Sequence, residues 1–248
     1  MDGTDKPVLL TDGKRIDGRG LEDLRPIEIK ASVLNRADGS CFIRWGENRI
    51  LAAVYGPREC IPRHKINPYR SVIKCRYRMS PFASLEEHGR AGPSRRSTEL
   101  SMIIREVFEN VVIGEKYPKT AIDLSVEVLQ ADGGTRCAAI TAASVALADA
   151  GIPMKDLVCV VAVGKVGGEL AIDLSKTEDN YGESDVPIAI ASRNKDILLL
   201  QMDGLMSKEE IIKSVDMVIK ASEKVHDIQV KALKEVYDKK STESETKN

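Results

Sequence analysis

The chain of 248 residues has no apolar run approaching the ~20 residues that a membrane-spanning helix requires. Met1 to Leu10 carry charges in place of a hydrophobic export core, so no membrane association and a cytoplasmic location are expected. The five cysteines (Cys41, Cys60, Cys75, Cys137 and Cys159) are odd in number and scattered, with no CxxC pair. That spacing excludes a disulfide frame or thiolate zinc site as the organising element and fits reduced thiols. The three histidines (His64, His88 and His226) are equally dispersed, which argues against a zinc hydrolase and gives a histidine-based triad little support. No Pro/Gly/Ser-rich linker divides the chain. With 42% hydrophobic residues there is enough material for a substantial core.

The net charge of −1 conceals a strong asymmetry. Between Arg58 and Arg96 there are ten Lys or Arg against three Glu and no Asp, a net +7. A segment of that sign is either a solvated basic face or the footprint of a polyanion. Tyr69, Tyr77 and Phe82 lie within it and offer flat surfaces on which unpaired bases could stack.

Hydrophobic periodicity sets out an α+β order. Segments 25–30 and 41–45 alternate, and 49–55 is more continuous, as in a β-meander. Segment 71–79 alternates again, with Lys74, Arg76 and Arg78 on its polar face, after a proline-containing basic loop over 57–70. A helix is expected from Ser94 or Arg95 to about Asn110, a strand over 120–130, and an Ala-rich helix over 135–150 ended by Gly151 and Pro153. Two hairpins follow (157–166 with 169–173, and 186–192 with 196–201). Ser207 then caps a long C-terminal amphipathic helix with Ile211, Val215, Val218, Ser222, Val225, Ile228 and Val236 along one stripe. The expected organisation is a polar lead-in over 1–14, one domain of mixed β-sheets packed with helices over 15–238, and a polar, disordered tail over 239–248.

Three features could carry chemistry. Gln130-Ala131-Asp132-Gly133-Gly134-Thr135-Arg136 lies where a strand hands over to a helix. Two glycines permit a tight turn and bring N–H groups close to a ligand, and the helix start adds unpaired donors and partial positive charge. Thr135 contributes a hydroxyl and Arg136 a two-pronged cation, so the segment has the chemistry of a phosphate cradle as well as that of an ordinary turn. It is neither a Walker loop nor GxGxxG. Arg95-Arg96 stands in the first turn of a helix, a position that disfavours cations unless an anion is nearby. The acidic segment from Glu178 to Asp185 falls between a hairpin and the next strand. A carboxylic acid there, beside an anionic substrate, would keep its proton to higher pH and could protonate a departing ribose oxygen.

These segments, taken together and in order, resemble the ribonuclease PH-like phosphorolytic exoribonucleases, and within them the catalytic ring subunit of the archaeal exosome. The matching stretches are Lys14-Arg15-Ile16-Asp17-Gly18-Arg19 with Leu24-Arg25-Pro26, Asp38-Gly39-Ser40, Met79-Ser80-Pro81-Phe82 and Gly92-Pro93-Ser94-Arg95-Arg96-Ser97. Val128 to Arg136 and Glu178 to Pro187 complete the set. The resemblance implies inorganic phosphate as co-substrate, bound at Gly134, Thr135 and Arg136. It implies Asp179 as general acid, supported by Asp185, with Mg2+ as a possible ion on the two aspartates. RNA contacts are implied at Arg95 and Arg96, and along the entry path at Arg63, His64, Lys65, Tyr69, Arg76, His88 and Arg90. The implied partners are single-stranded RNA 3′ ends, a related inactive ring subunit forming a trimer of heterodimers, and RNA-binding cap subunits. Two other readings compete: a bacterial-type ribonuclease PH that trims tRNA as a homohexamer, and a non-catalytic RNA-binding ring subunit. The segment Gln201-Met202-Asp203-Gly204-Leu205 favours the exosome type over the bacterial one. The presence of the arginine pair, the phosphate turn and the loop aspartates speaks against lost chemistry.

Overall fold

The structure, a computed structural model, describes residues 7–11, 13–84 and 94–245. A short ribbon, β1 (Leu10–Thr11) with β2 (Lys14–Arg15), precedes the meander β3 (Ile27–Ala31), β4 (Gly39–Trp45) and β5 (Asn48–Glu59). Then come β6 (Val72–Met79), α1 (Arg95–Val111), β7 (Thr120–Gln130) and α2 (Thr135–Asp149). The second half contains β8 (Val158–Val166), β9 (Glu169–Ile172), α3 (Lys176–Tyr181), β10 (Ser184–Ala191), β11 (Ile197–Leu200), β12 (Asp203–Gly204) and α4 (Lys208–Glu245).

The strands form two five-stranded sheets. The first runs β3-β4-β5-β7-β6, antiparallel except for β6 and β7, which are parallel and joined by a crossover through α1. The second runs β11-β10-β8-β9, with β12 pairing the free stretch of β10. Helix α2 lies between them, packed on β4 and β5 on one side and β8 on the other. Its Ala-rich sequence explains the position. Nearly every side chain from Cys137 to Leu147 is buried, as expected of a helix that is apolar all round. Small side chains also allow close approach: a Cβ on Gly39 of β4 would lie 2.3 Å from the Ala146 carbonyl oxygen. One contiguous apolar cluster extends from Ile29 through both sheets to Ala232.

Four details differ from the sequence reading. The acidic segment is not a loop throughout, because residues 176–181 form α3 and Asp185 already belongs to β10. Ser175 and Glu178 close a capping box that starts this short helix. The segment expected to be a disordered tail is helical to Glu245, since no Gly or Pro follows Gly204 to stop α4. The lead-in is partly tied down, with Leu9 buried against Val166, Ala171 and Leu174. The buried seam of α4 is also more polar than the expected stripe: besides Ser222, which belongs to that stripe, Ser214 and Gln229 are fully buried. Gln229 donates from Nε2 to the carbonyls of Thr141 (3.2 Å) and Val158 (3.0 Å), fastening α4 to α2 and β8.

Candidate active site

The glycine turn lies at the end of β7, where α2 begins. Gly133 and Gly134 both have left-handed φ values, 71° and 66°, and Gly134 is the N-cap of α2. Glycine at 133 is also required by space, because a Cβ would lie 2.6 Å from the Lys176 backbone nitrogen. The turn therefore presses directly on the start of α3, which carries Asp179.

A buried polar network holds the turn from behind. Arg25 donates from Nη1 to the Asp132 carbonyl (2.5 Å) and from Nη2 to the Gly133 carbonyl (3.3 Å). Asn48 donates from Nδ2 to the Gly133 carbonyl (2.6 Å) and accepts from the Asp132 N–H (2.7 Å). Arg25 in turn pairs with Asp173 (2.7 Å), whose carboxylate also accepts from Trp45 Nε1 (3.0 Å) and Arg19 Nη1 (3.3 Å). Burial works to raise the pKa of Asp173, but the charge and hydrogen bonds of Arg25 overcome it and hold the carboxyl below its usual range. These bonds fix the carbonyls of Asp132 and Gly133 and the N–H of Asp132 from behind.

The forward side holds the charges. Arg136, in the first turn of α2, has a buried Nε without a hydrogen-bond partner among the described residues. Arg95 and Arg96 open α1, where Ser94 and Ser97 form a reciprocal cap: the Ser97 N–H donates to Ser94 Oγ (3.0 Å) and the Ser94 N–H to Ser97 Oγ (2.8 Å). That first turn has no acidic residue, so both arginines stand exposed against the helix dipole. Asp185 projects from β10, with Asp203 directly opposite on β12. Desolvation pushes the Asp185 carboxyl up to about 6, helped by the neighbouring charges of Asp179 and Asp203 and opposed by Arg136 and Arg96. Asp179 keeps solvent access, yet crowding around its carboxyl is the largest influence and raises its pKa; Asp203 adds to this while Arg96, Arg136 and Arg25 oppose it. The structure thus brings Arg96, Arg136, Asp179 and Asp185 into one electrostatic cluster. Two of these residues hold protons more tightly than free aspartate.

Thr135 is the first residue of α2. Its side chain is buried, and its Oγ accepts a hydrogen bond from the Tyr77 hydroxyl (3.2 Å). Glu178 is structural: side chain and partner are buried, and Arg15 Nε donates to it at 2.6 Å. Arg63, His64 and Lys65 form an exposed 3-10 turn, and Tyr69 is 82% exposed. They precede the start of β6, whereas the cradle is reached from near its other end, at Tyr77. Arg76 is exposed on the outer face of the sheet, away from the face that Tyr77 presents to Thr135. These five are not brought to the cradle within one chain. His88 and Arg90 lie outside the described residues. Among the described residues no group of three or more His, Cys, Asp or Glu is arranged to hold a metal ion, and no helix is long and apolar enough to cross a membrane.

Sequence reasoning missed the part played by Asp203 and the network of Arg25, Asn48, Trp45 and Asp173, and it offered Tyr77 as a stacking surface, which its burial rules out. For Asp173 there was a signal: a lone carboxylate between Ile172 and Leu174, in an otherwise apolar stretch, has to find a buried cation.

Comparison with known proteins identifies the family. Models of the 3′ exoribonuclease family match in succession, domain 1 over residues 23–153 and domain 2 over residues 156–221. The exosome complex component Rrp41 of Thermococcus onnurineus is 54% identical over 233 residues, which cover 94% of this chain and 93% of that protein. Rrp41 of Archaeoglobus fulgidus is 50% identical over 228 residues, covering 91% and 88% respectively. Among solved structures, rice (Oryza sativa) Rrp46 superposes with a TM-score of 0.80 at 27% identity, covering 89% of this chain and 100% of that one. A chain of the Archaeoglobus fulgidus exosome with RNA bound to the active site gives a TM-score of 0.75 at 25% identity, covering 87% and 92%. On the strength of both domain matches and of identity above one half across nearly the whole length, the chain belongs to the 3′ exoribonuclease family.

Proposed function

We propose that the chain is the catalytic subunit of an archaeal-type exosome ring and shortens RNA from its 3′ end by phosphorolysis. The observation that carries this reading is the convergence of Arg136, whose buried Nε has no partner among the described residues, at a glycine-turn helix start with a second arginine and two proton-retaining aspartates. Inorganic phosphate is held by the N–H groups after Gly134 and by Arg136, with the Thr135 hydroxyl beside it. Arg96, with Arg95, grips the RNA backbone at the last phosphodiester.

A phosphate oxygen attacks the terminal phosphorus in line, the bond from phosphorus to O3′ breaks, and a nucleoside 5′-diphosphate leaves. The departing O3′ takes a proton from Asp179, whose carboxyl lies beside that of Asp185 and shares its raised affinity for protons. Positioning and charge neutralisation supply most of the rate. When ionised, Asp179 and Asp185 could also hold Mg2+, which needs only one or two carboxylates when substrate phosphates complete its shell, and which would neutralise charge.

In the proposed assembly the chain alternates with a related inactive subunit in a trimer of heterodimers, with RNA-binding caps on one face, working in the cytoplasm. Arg63, His64, Lys65, Tyr69 and Arg76, remote from their own chain's cradle, would line the route of the incoming strand, with His88 and Arg90. Reversibility provides the test. With nucleoside diphosphates in excess, the assembled ring should lengthen an RNA primer and release inorganic phosphate; degradation without any extension would contradict the reading.

A further inference from the structure

Tyr77 is almost fully buried on β6, yet its hydroxyl reaches Thr135, the first residue of α2 and part of the phosphate cradle. It donates to Thr135 Oγ at 3.2 Å. A hydroxyl has one proton and two acceptor sites. With the Tyr77 proton occupying one acceptor site and no other hydrogen bond to Thr135 Oγ among the described residues, the proton of Thr135 is left to point elsewhere. Arg136 follows in sequence, and the charges of Arg96 and Arg136 both act on the Tyr77 phenol. The other end of Tyr77 is fixed as well. Its backbone N–H donates to Ser101 Oγ (2.9 Å), which donates to the Ser97 carbonyl (2.6 Å) in the first turn of α1. Hydrogen bonds at both ends of Tyr77, backbone and hydroxyl, therefore link the helix start bearing Arg95 and Arg96 to the helix start bearing Thr135 and Arg136.

We infer that Tyr77 is a positioning residue for phosphate: it turns the Thr135 hydroxyl proton toward the bound anion and sets the spacing between the RNA-gripping arginines and the phosphate cradle. The inference rests on the phosphorolytic reading above. Burial keeps the phenol protonated, since desolvation raises its pKa, so Tyr77 acts as a fixed donor at every working pH.

The test is Tyr77→Phe in the assembled ring, which retains the aromatic packing. The KM for phosphate should rise about threefold to tenfold, the range expected for one hydrogen bond, while kcat at saturating phosphate and RNA affinity in phosphate-free buffer change by less than about twofold. Thr135→Ala should raise the phosphate KM to a similar degree. The double variant should show no further increase, because both changes remove the same contact. An unchanged phosphate KM in Tyr77→Phe, or an additive effect in the double variant, would overturn the inference. Should Tyr77→Phe not fold, Thr135→Ala alone still decides, since an unchanged phosphate KM there is equally fatal. Wild-type activity that needs no phosphate would refute the phosphorolytic reading itself, a separate outcome.

Discussion

Asp185 on β10 and Asp203 on β12 face each other directly across an antiparallel pair, placing two carboxylates where sheets ordinarily prefer opposite charges. Such an arrangement costs stability and raises the proton affinity of the more enclosed member. Asp185 is the half-buried one, and its carboxyl is pushed up to about 6. Asp203 is exposed, so changing it should leave the fold intact while altering its neighbour.

Asp203→Asn is expected to lower the proton affinity of Asp185 and Asp179. The alkaline limb of the kcat profile should therefore move to lower pH by roughly half a unit to one unit. Comparing variant and wild type at equal phosphate concentration cancels the titration of phosphate itself. A limb that stays in place would remove Asp203 from the account.

Stability should follow two opposing pH trends. Asp173 and Glu178 have lowered pKa values, because burial is outweighed in each by arginine partners. Their stabilisation is present above the unfolded values of about 3.9 and 4.3 and is lost as pH falls through the lower folded values. Asp185 is raised, so its contribution is present below about 3.9 and disappears as pH rises through the folded value near 6. Asp185→Asn should accordingly raise Tm relative to wild type at pH 8 but not at pH 4, a crossover that thermal unfolding across pH would show.

Asp173→Ala should cost on the order of 3–5 kcal/mol, since it leaves Arg25 buried without its main partner. Chemical denaturation measures this directly. A loss of under about 1 kcal/mol would mean that the network behind the turn is not rigidly maintained.

The arginines should separate kinetically. Arg136→Ala is expected to raise the phosphate requirement while RNA affinity holds. Arg96→Ala should weaken RNA binding and reduce its salt dependence by about one phosphate contact. Titrations of phosphate and of RNA on each variant distinguish the two, and interchanged effects would reverse the assignments.

Much of this was visible in the primary structure because it depends on local rules. The meander of β3–β5 and the strand at β7 follow from alternation. The burial of α2 follows from its run of small apolar residues, and the cradle from two glycines before Thr135-Arg136. The missing parts depend on contacts distant in sequence. Arg25 meets Asp173 148 residues away, and Tyr77 meets Thr135 across 58 residues. Asp203 joins the site only through the register that β12 adopts on β10. Neither periodicity nor spacing records a cross-strand register or a buried charge pair. The stripe on α4 holds, but the polar part of its seam is not legible for the same reason, since Gln229 is buried only because two carbonyls elsewhere receive its amide.

Whether phosphate or water is the attacking group is decided by the identity of the released nucleotide. The assembled ring, incubated with single-stranded RNA with and without inorganic phosphate, should release nucleoside 5′-diphosphates only when phosphate is present. Asp179→Asn should release none while still binding RNA. Nucleoside monophosphates released in phosphate-free buffer would contradict the account.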